Sequence, residues 1–278
     1  MQYYLILAGM LLLKAGQAPP SEKPGAPPPE NPGISGLLDK STYQQLFPHH
    51  QAIYSYEAFL KASRDFPLFA AEGSLADRKK EIAAFFANCA HETNNGGEGA
   101  KGGAYTWGLF YTEELACKDG HCIQYNTGGT SPYRPVAGKS YHGRGPLQIS
   151  YAYNYGLAGE ELGLPLLANP ELVSTDGDVA FKTALWFWMR AQKPKPSCHE
   201  AITGKWQPSP EDIREGRRPG FGMTINIING GEECNSKDPA IIVSRKDRIG
   251  HYKWFAALLR VKTEPDCDCA GMGTYRNM

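Results

Sequence analysis

The sequence predicts a mainly α, α+β domain with helices around a cleft and a small β-sheet at one side. Three observations lead there. Apolar residues return at helical spacing in four segments, long glycine-dense stretches separate them, and strand content is small, with Gly145 to Ser150 the best candidate and a short hairpin before it.

The elements follow in chain order. The apolar run Tyr3 to Leu13 ends near Ala15-Gly16-Gln17-Ala18 and reads as a signal peptide over residues 1–18. It is too short for a membrane span, although no lysine or arginine precedes it. Residues 19–36 are rich in Pro and Gly and form a leader or linker that builds no core. One folded domain is expected from 37 to 278. Tyr56 to Ser63 carries a short amphipathic pattern. Leu75 to His91 is a clearer helix, with Ile82, Phe85, Phe86, Cys89 and Ala90 on one face. Val179 to Ala191 is a third, capped by Asp176 or Asp178 and stopped by Pro194-Lys195-Pro196. Arg248 to Leu259 is a fourth, with Ile249, Tyr252, Phe255, Ala256 and Leu259 facing inward. The stretches Gly96 to Gly145 and Gly204 to Gly222 are long loops, which inside a domain are usually functional.

Composition narrows the function. The 29 basic and 29 acidic residues cancel, so no net field draws nucleic acid or an acidic surface, and a neutral substrate fits better. Hydrophobic residues at 41% suffice for one sizeable core. Seven cysteines without a C-x-x-C pair read as disulfides, and hence as an oxidising destination. The odd number leaves at least one thiol unpaired within the chain. The seven histidines are scattered, so neither a metal site nor a cofactor is expected.

The most informative segment is Cys89-Ala90-His91-Glu92-Thr93-Asn94-Asn95-Gly96-Gly97, where a glutamate ends an apolar helix and opens into small polar residues. A second carboxylate pair, Glu113-Glu114, follows the aromatic stretch Tyr105 to Tyr111. Two acids beside aromatics suit cleavage of a sugar bond, one staying protonated in a dry pocket while the other remains ionised. An inverting pair stands roughly 6.5–9.5 Å apart, leaving room for water. Glu113 and Glu114 diverge in an extended segment, so at most one faces Glu92; the residues alone leave open which. Gln148, Ser150 and Asn154 offer the polar lining that hydroxyl and N-acetyl groups need. Gly143 and Gly145 suit a tight turn and do not form a phosphate loop. Asn226 to Cys234 reads as a flexible bend, with Asn229 placed to hold a water or an N-acetyl group and Glu233 to pair with Arg248.

Taken together these segments resemble glycoside hydrolase family 19, the chitinases best known from plants, over nearly everything from Tyr54 to Leu259. The specific pieces are Ala90-His91-Glu92-Thr93, Gly138 to Pro146, Phe181 to Met189, Ile202 to Trp206 and Asn226 to Gly231. The resemblance implies a lysozyme-like fold over a catalytic domain at 37–278, and endo-hydrolysis of β-1,4 bonds between N-acetylglucosamine units with inversion. It implies Glu92 as general acid, Glu114 as general base and Ser150 as the group that helps hold the attacking water. Substrate contacts are expected from Trp107, Tyr141, Gln148, Tyr153, Asn154 and Asn229, and a supporting charge network from Glu233 and Arg248. The implied partner is chitin or chitooligosaccharides, with no nucleic acid and no membrane, acted on by a secreted monomer.

This chain departs from the plant pattern. Phe110 stands where plant members have a cysteine, so one usual disulfide is absent. Cys117 and Cys122 are expected to bond to each other, Cys89 and Cys198 to form a bridge peculiar to this chain, and Cys234 to pair with Cys267 or Cys269. The cysteine-rich chitin-binding module of many plant members is missing. Two other readings share much of this chemistry: a peptidoglycan-directed lysozyme-like hydrolase, and an inactive chitin-binding or storage protein.

Overall fold

The computed structural model describes residues 33–97, 99–117, 122–126 and 131–275. The expected signal peptide and most of the leader lie outside these residues. Eleven helices run through the described residues: α1 Gly33–Leu37, α2 Lys40–Leu46, α3 Tyr56–Ser63, α4 Leu75–Glu92, α5 Ala152–Leu162, α6 Leu172–Thr175, α7 Gly177–Met189, α8 Cys198–Thr203, α9 Pro210–Arg214, α10 Phe221–Glu233 and α11 Pro239–Leu258.

Helix α4 organises the domain. Ser74 caps it through a reciprocal box with Asp77, satisfying two amide donors at its start. From Glu81 to Ala90 every residue is buried, which is the signature of a helix surrounded by others rather than laid on a surface. Helix α11 packs along it, and α3 packs against α7. Between them lies an aromatic core in which Phe59, Phe69, Phe85, Phe86, Phe181 and Trp188 meet in tilted and edge-on pairs. A second cluster, built on Tyr141, Ile149, Ala152, Tyr155, Val173 and Trp186, supports α5 and the turn before it.

The helical class predicted from spacing is what the structure has. The segment Tyr56 to Ser63 coincides with α3, and Asp176 rather than Asp178 caps α7 through the amides of Asp178 and Val179. Three local expectations change. The last helix begins nine residues before Arg248, at Pro239, with Asp238 as its cap. Asn226 to Cys234 is not a flexible bend: it lies on α10, kinked at Asn229 (φ −141°, ψ 30°). The small sheet is reduced, among the described residues, to isolated bridges that pair Glu113 with Arg144, Arg144 with Ile149, and Gln192 with Lys195. Positive φ at Gly145 (75°) and Gln148 (46°) turns the chain back on itself where a strand was expected. Gly145 is required there, because a Cβ would stand 2.8 Å from Cγ1 of Val173.

Disulfides join Cys117 to Cys122 and Cys234 to Cys269. The expected Cys89–Cys198 bridge is not formed; both thiols are free and fully buried in the main core, and Cys267 is a third buried free thiol. Cys89 sits on the all-buried face of α4 and Cys198 opens α8, and each packs there as a small apolar side chain.

Candidate active site

A cleft of about 450 Å³ runs between the two cores. The end of α4 supplies Glu92, the segment before the 143–150 turn supplies Glu114, the turn and α5 supply Gln148, Ser150, Tyr153 and Asn154, and α10 supplies Asn229 and Glu232. Two separate elements thus bring both expected carboxylates to one cleft.

Glu92 is anchored from behind. Arg248, on α11 and 1% exposed, bonds the Glu92 carboxylate through Nη2. The same guanidinium donates from Nε to both oxygens of Glu233 at 3.0 Å, from Nη2 to Glu233 at 2.7 Å, and from Nη1 to Asn88 at 3.2 Å. Burial alone would push the arginine's pKa down, but the charges of Glu92 and Glu233 outweigh it and hold the group cationic. Burial likewise acts to raise the Glu233 carboxyl, yet the Arg248 charge wins and holds it below the usual carboxylate range. Glu233 also accepts from Asn229 Nδ2 at 3.0 Å, which fixes that amide at the helix kink. His91 points away from the cleft, to Asp247 at 2.7 Å and Ser244 at 3.1 Å on α11.

Thr93, at the end of α4, clamps the next wall. Its hydroxyl accepts from the Leu109 amide at 2.6 Å, and its carbonyl accepts from the Phe110 and Tyr111 amides at 3.1 and 3.0 Å. Gly108 lets this loop lie on the helix, since a Cβ there would come within 2.6 Å of the Ala90 Cβ. The loop then delivers Glu113 and Glu114 to opposite sides, as successive extended residues must. Glu113 turns to His142 at 3.2 Å and Arg144 at 3.5 Å. Glu114 faces the cleft, its amide donating to the Gly143 carbonyl at 2.9 Å. Glu114 also lies within 4.8 Å of the Cys117 and Cys122 sulfurs, but both are bonded to each other and offer no thiolate to a metal.

The remaining expected residues divide. Ser150 donates its hydroxyl to the Gln148 carbonyl at 3.0 Å, Gln148 donates to the Gly145 carbonyl at 2.8 Å, and Asn154 donates to the Ser150 carbonyl at 2.9 Å. All three line the cleft. Tyr153 is 40% exposed and stacks on Tyr151 at 5.6 Å, forming a flat wall. Trp107 and Tyr141 are not brought to this wall. Trp107 stacks on His49 at 4.1 Å and donates to the Lys101 carbonyl. Tyr141 is fully buried, its hydroxyl donating to Leu167 at 2.6 Å.

The cleft also holds residues that sequence patterns did not single out. Tyr125 meets Tyr151 edge-on at 5.2 Å, and burial together with its hydrogen bond to Glu114 pushes its hydroxyl up to about 12. Lys195 reaches the Ile227 carbonyl at 3.4 Å, and burial lowers its pKa. Glu232 follows Asn229 by three residues, so the helix itself puts both on one face; that spacing was the available signal.

Comparisons with known proteins identify the family. The model of the class I chitinase family matches residues 42–269. The chain is 44% identical over 245 residues to an endochitinase of Carica papaya, covering 85% of this chain and 97% of that one. It is 43% identical over 243 residues to a basic endochitinase of Vitis vinifera, at 85% and 75% coverage. An inactive chitinase-like protein of Hevea brasiliensis is equally similar, 43% over 244 residues, again at 85% and 75%. Among solved structures, chitinase C of Streptomyces griseus superposes with a TM-score of 0.67 at 35% identity, covering 84% of this chain and 80% of that one. A class IV chitinase of Zea mays gives 0.59 at 32%, covering 87% and 97%. The chain therefore belongs to glycoside hydrolase family 19, the class I chitinases.

Proposed function

We propose that this protein is an active, secreted endochitinase that cuts internal β-1,4 bonds between N-acetylglucosamine units with inversion, working as a monomer. The observation that carries the reading is the unequal pair of carboxylates on one cleft: Glu92 tied to buried Arg248, and Glu114 facing the cleft with no ion pair among the described residues.

In this mechanism Glu92 delivers a proton to the glycosidic oxygen as the bond breaks. Glu114 takes a proton from a water that attacks the anomeric carbon from the opposite face. Ser150 suits the second contact to that water. Its own proton is committed to the Gln148 carbonyl, so its oxygen presents lone pairs and accepts. The water then gives one hydrogen to Glu114 and one to Ser150, and keeps a lone pair for the sugar. Gln148, Asn154 and Asn229 supply amides for hydroxyl and N-acetyl groups, and the Tyr151–Tyr153 stack supplies a face for a sugar ring. Tyr141 backs this wall, its carbonyl accepting from the Tyr151 amide at 2.8 Å, and Trp107 packs against Phe110 on the loop that carries Glu114. Glu233 and Arg248 hold the acid in place.

Two disulfides and the similarity to plant endochitinases support secretion, with residues 1–18 as the signal, 19–36 as a leader and the remainder as the catalytic domain. No helix among the described residues is long and apolar enough to cross a membrane. The similarity to an inactive relative makes activity the point to test. The N-acetylglucosamine hexamer is the substrate, with product length and anomeric form read at early times. Internal cuts giving α-anomers are expected. Glu92→Gln and Glu114→Gln should each lower turnover by roughly 10²–10⁴-fold while oligosaccharide binding persists. Full activity in either variant, or β-anomeric products, would overturn the assignment.

A further inference from the structure

The cleft carries more negative charge than the reaction uses. Four acidic or basic side chains line it among the described residues: Glu92, Glu114 and Glu232 against Lys195. Glu92 is bonded to Arg248, which it shares with Glu233. Glu114 is claimed by the proposed reaction. Lys195 is occupied with the Ile227 carbonyl and makes no ion pair with Glu232. Glu232 is thus a cleft-facing carboxylate without a cation among the described residues. Its neighbour Glu233 turns inward to Arg248, so one turn of α10 sends one acid to the core and the other to the substrate side.

The position of Glu232 is defined further by Tyr125. That phenol hydrogen-bonds Glu114 and feels the Glu232 charge, so the ring stands in the field of both acids. Asn229, three residues before Glu232, faces the same cleft. A sugar lying against this stretch of α10 presents its substituents to an amide and to an unpaired carboxylate. An N-acetyl group is neutral and offers the carboxylate only its amide N–H as donor. A free 2-amino group is a cation in mildly acidic solution and gains a charge-assisted hydrogen bond.

We propose that Glu232 makes the sugar position beside α10 selective for glucosamine, so that the enzyme cleaves partially deacetylated chitin with a deacetylated unit held at that position. The inference rests on the chitinase reading of the cleft. No new chemistry is needed: Glu232 binds the ammonium, and the bond is broken by the same acid and base.

The test compares kcat/KM on a partially deacetylated chitin polymer and on the fully acetylated hexamer, at mildly acidic pH, with products sequenced by mass spectrometry. The wild-type enzyme is expected to show glucosamine enriched at one fixed position relative to the cut. Glu232→Gln should lower the ratio of the two kcat/KM values about five-fold, the scale of a single solvent-accessible ion pair. Glu232→Lys should lower it further. The wild-type ratio should fall as salt rises, and the Gln variant should show no such fall. Random acetylation around the cut, or a Gln variant with an unchanged ratio, overturns the assignment of Glu232 while hydrolysis of the hexamer stands. Failure of the wild-type enzyme to cut the hexamer overturns the chitinase reading itself and this inference with it.

Discussion

Removing Arg248 should cost more stability than any other single change at the cleft, and the structure says how much of that cost is electrostatic. The guanidinium is 1% exposed and satisfies Glu233, which is 2% exposed, in a three-bond fork, along with Asn88 and Glu92. Arg248→Met keeps much of the volume but leaves Glu233 as an unpaired buried charge. Breaking one side of such a pair costs about 3–5 kcal/mol. For a domain of this size each kcal/mol lowers Tm by roughly 2–4 °C, so a fall of about 6–20 °C is expected. The double variant Arg248→Met/Glu233→Gln removes both charges. It should recover at least half of the loss, because a neutral pair of similar shape is close to break-even. The assay is thermal unfolding of the two single variants and the double, with hexamer hydrolysis alongside. Activity should be low in Arg248→Met and in the double variant, because both lose the group that positions Glu92. The pH dependence adds a check. Glu233 is depressed in the folded wild-type protein, so its contribution is present above its ordinary value of 4.5 and is lost as pH falls through the folded value. Arg248→Met should lose that contribution. A drop below about 1 kcal/mol in Arg248→Met, or a double variant no better than the single, would refute the buried-charge account.

The cysteines, two buried histidines and the Thr93 clamp give three further expected outcomes. Seven cysteines less the four in bridges leave three thiols. A thiol reagent should therefore titrate about none in the native protein and three after non-reducing denaturation, whereas a Cys89–Cys198 bridge would leave one. Stability should peak near pH 6.5, because two histidines shift in opposite directions. Burial lowers His251 to about 4, so acidification below 6.5 protonates only its unfolded form and destabilises the protein. Burial also acts to lower His199, but its bonds to Glu81 and Glu72 win and raise it, so its contribution is complete below 6.5 and lost as pH rises through the folded value. His199→Gln should flatten the alkaline side of the unfolding profile and His251→Gln the acid side; unchanged slopes would reject the two assignments. Finally, Thr93→Val strands the buried Leu109 amide and should cost about 1–3 kcal/mol, with a lower kcat from the loosened Glu114 loop. Undiminished stability would show that the clamp is not needed.

What was legible in the sequence depended on periodicity. Helix α3 and helix α4 were readable because their apolar faces repeat at 3.6 residues and their caps are local. The start of α11 was not, because Pro239 to Asp247 turns a mixed face toward α4, with Arg245 buried against the Glu233 carbonyl at 2.7 Å. Helix α10 was read as a bend because its glycines, Asn226 and Asn229 suggest a turn; burial of nearly its whole length overrides that local preference. The choice of Glu114 over Glu113 came from resemblance, and the geometry gives it a physical cause in the basic pair His142 and Arg144 that draws Glu113 away. Trp107 and Tyr141 show the opposite limit. Aromatics near a cleft look alike in sequence whether they face sugar or support a loop, and only packing separates them.

The two proposed catalytic carboxylates are held by different physical means. Glu92 ends an all-buried helix and is gripped by a guanidinium that cannot move without exposing Glu233. Glu114 rides on a loop, so its placement depends on what ties that loop down. Plant relatives are expected to use a cysteine after the Trp-Gly pair. Here Phe110 occupies that position, its amide bonded to the Thr93 carbonyl and its ring packed edge-on against Trp107 at 5.5 Å and Tyr111 at 5.1 Å. Aromatic packing and three amide donations to Thr93, one to its hydroxyl and two to its carbonyl, therefore hold this loop at Phe110. Farther along, the Cys117–Cys122 bridge closes a short loop directly after Glu114, whose carbonyl accepts from the Cys117 amide at 3.0 Å. Replacing both cysteines of this bridge by serine should then disturb the base more than the acid, whose arginine leans instead on Glu233, beside the separate Cys234–Cys269 bridge.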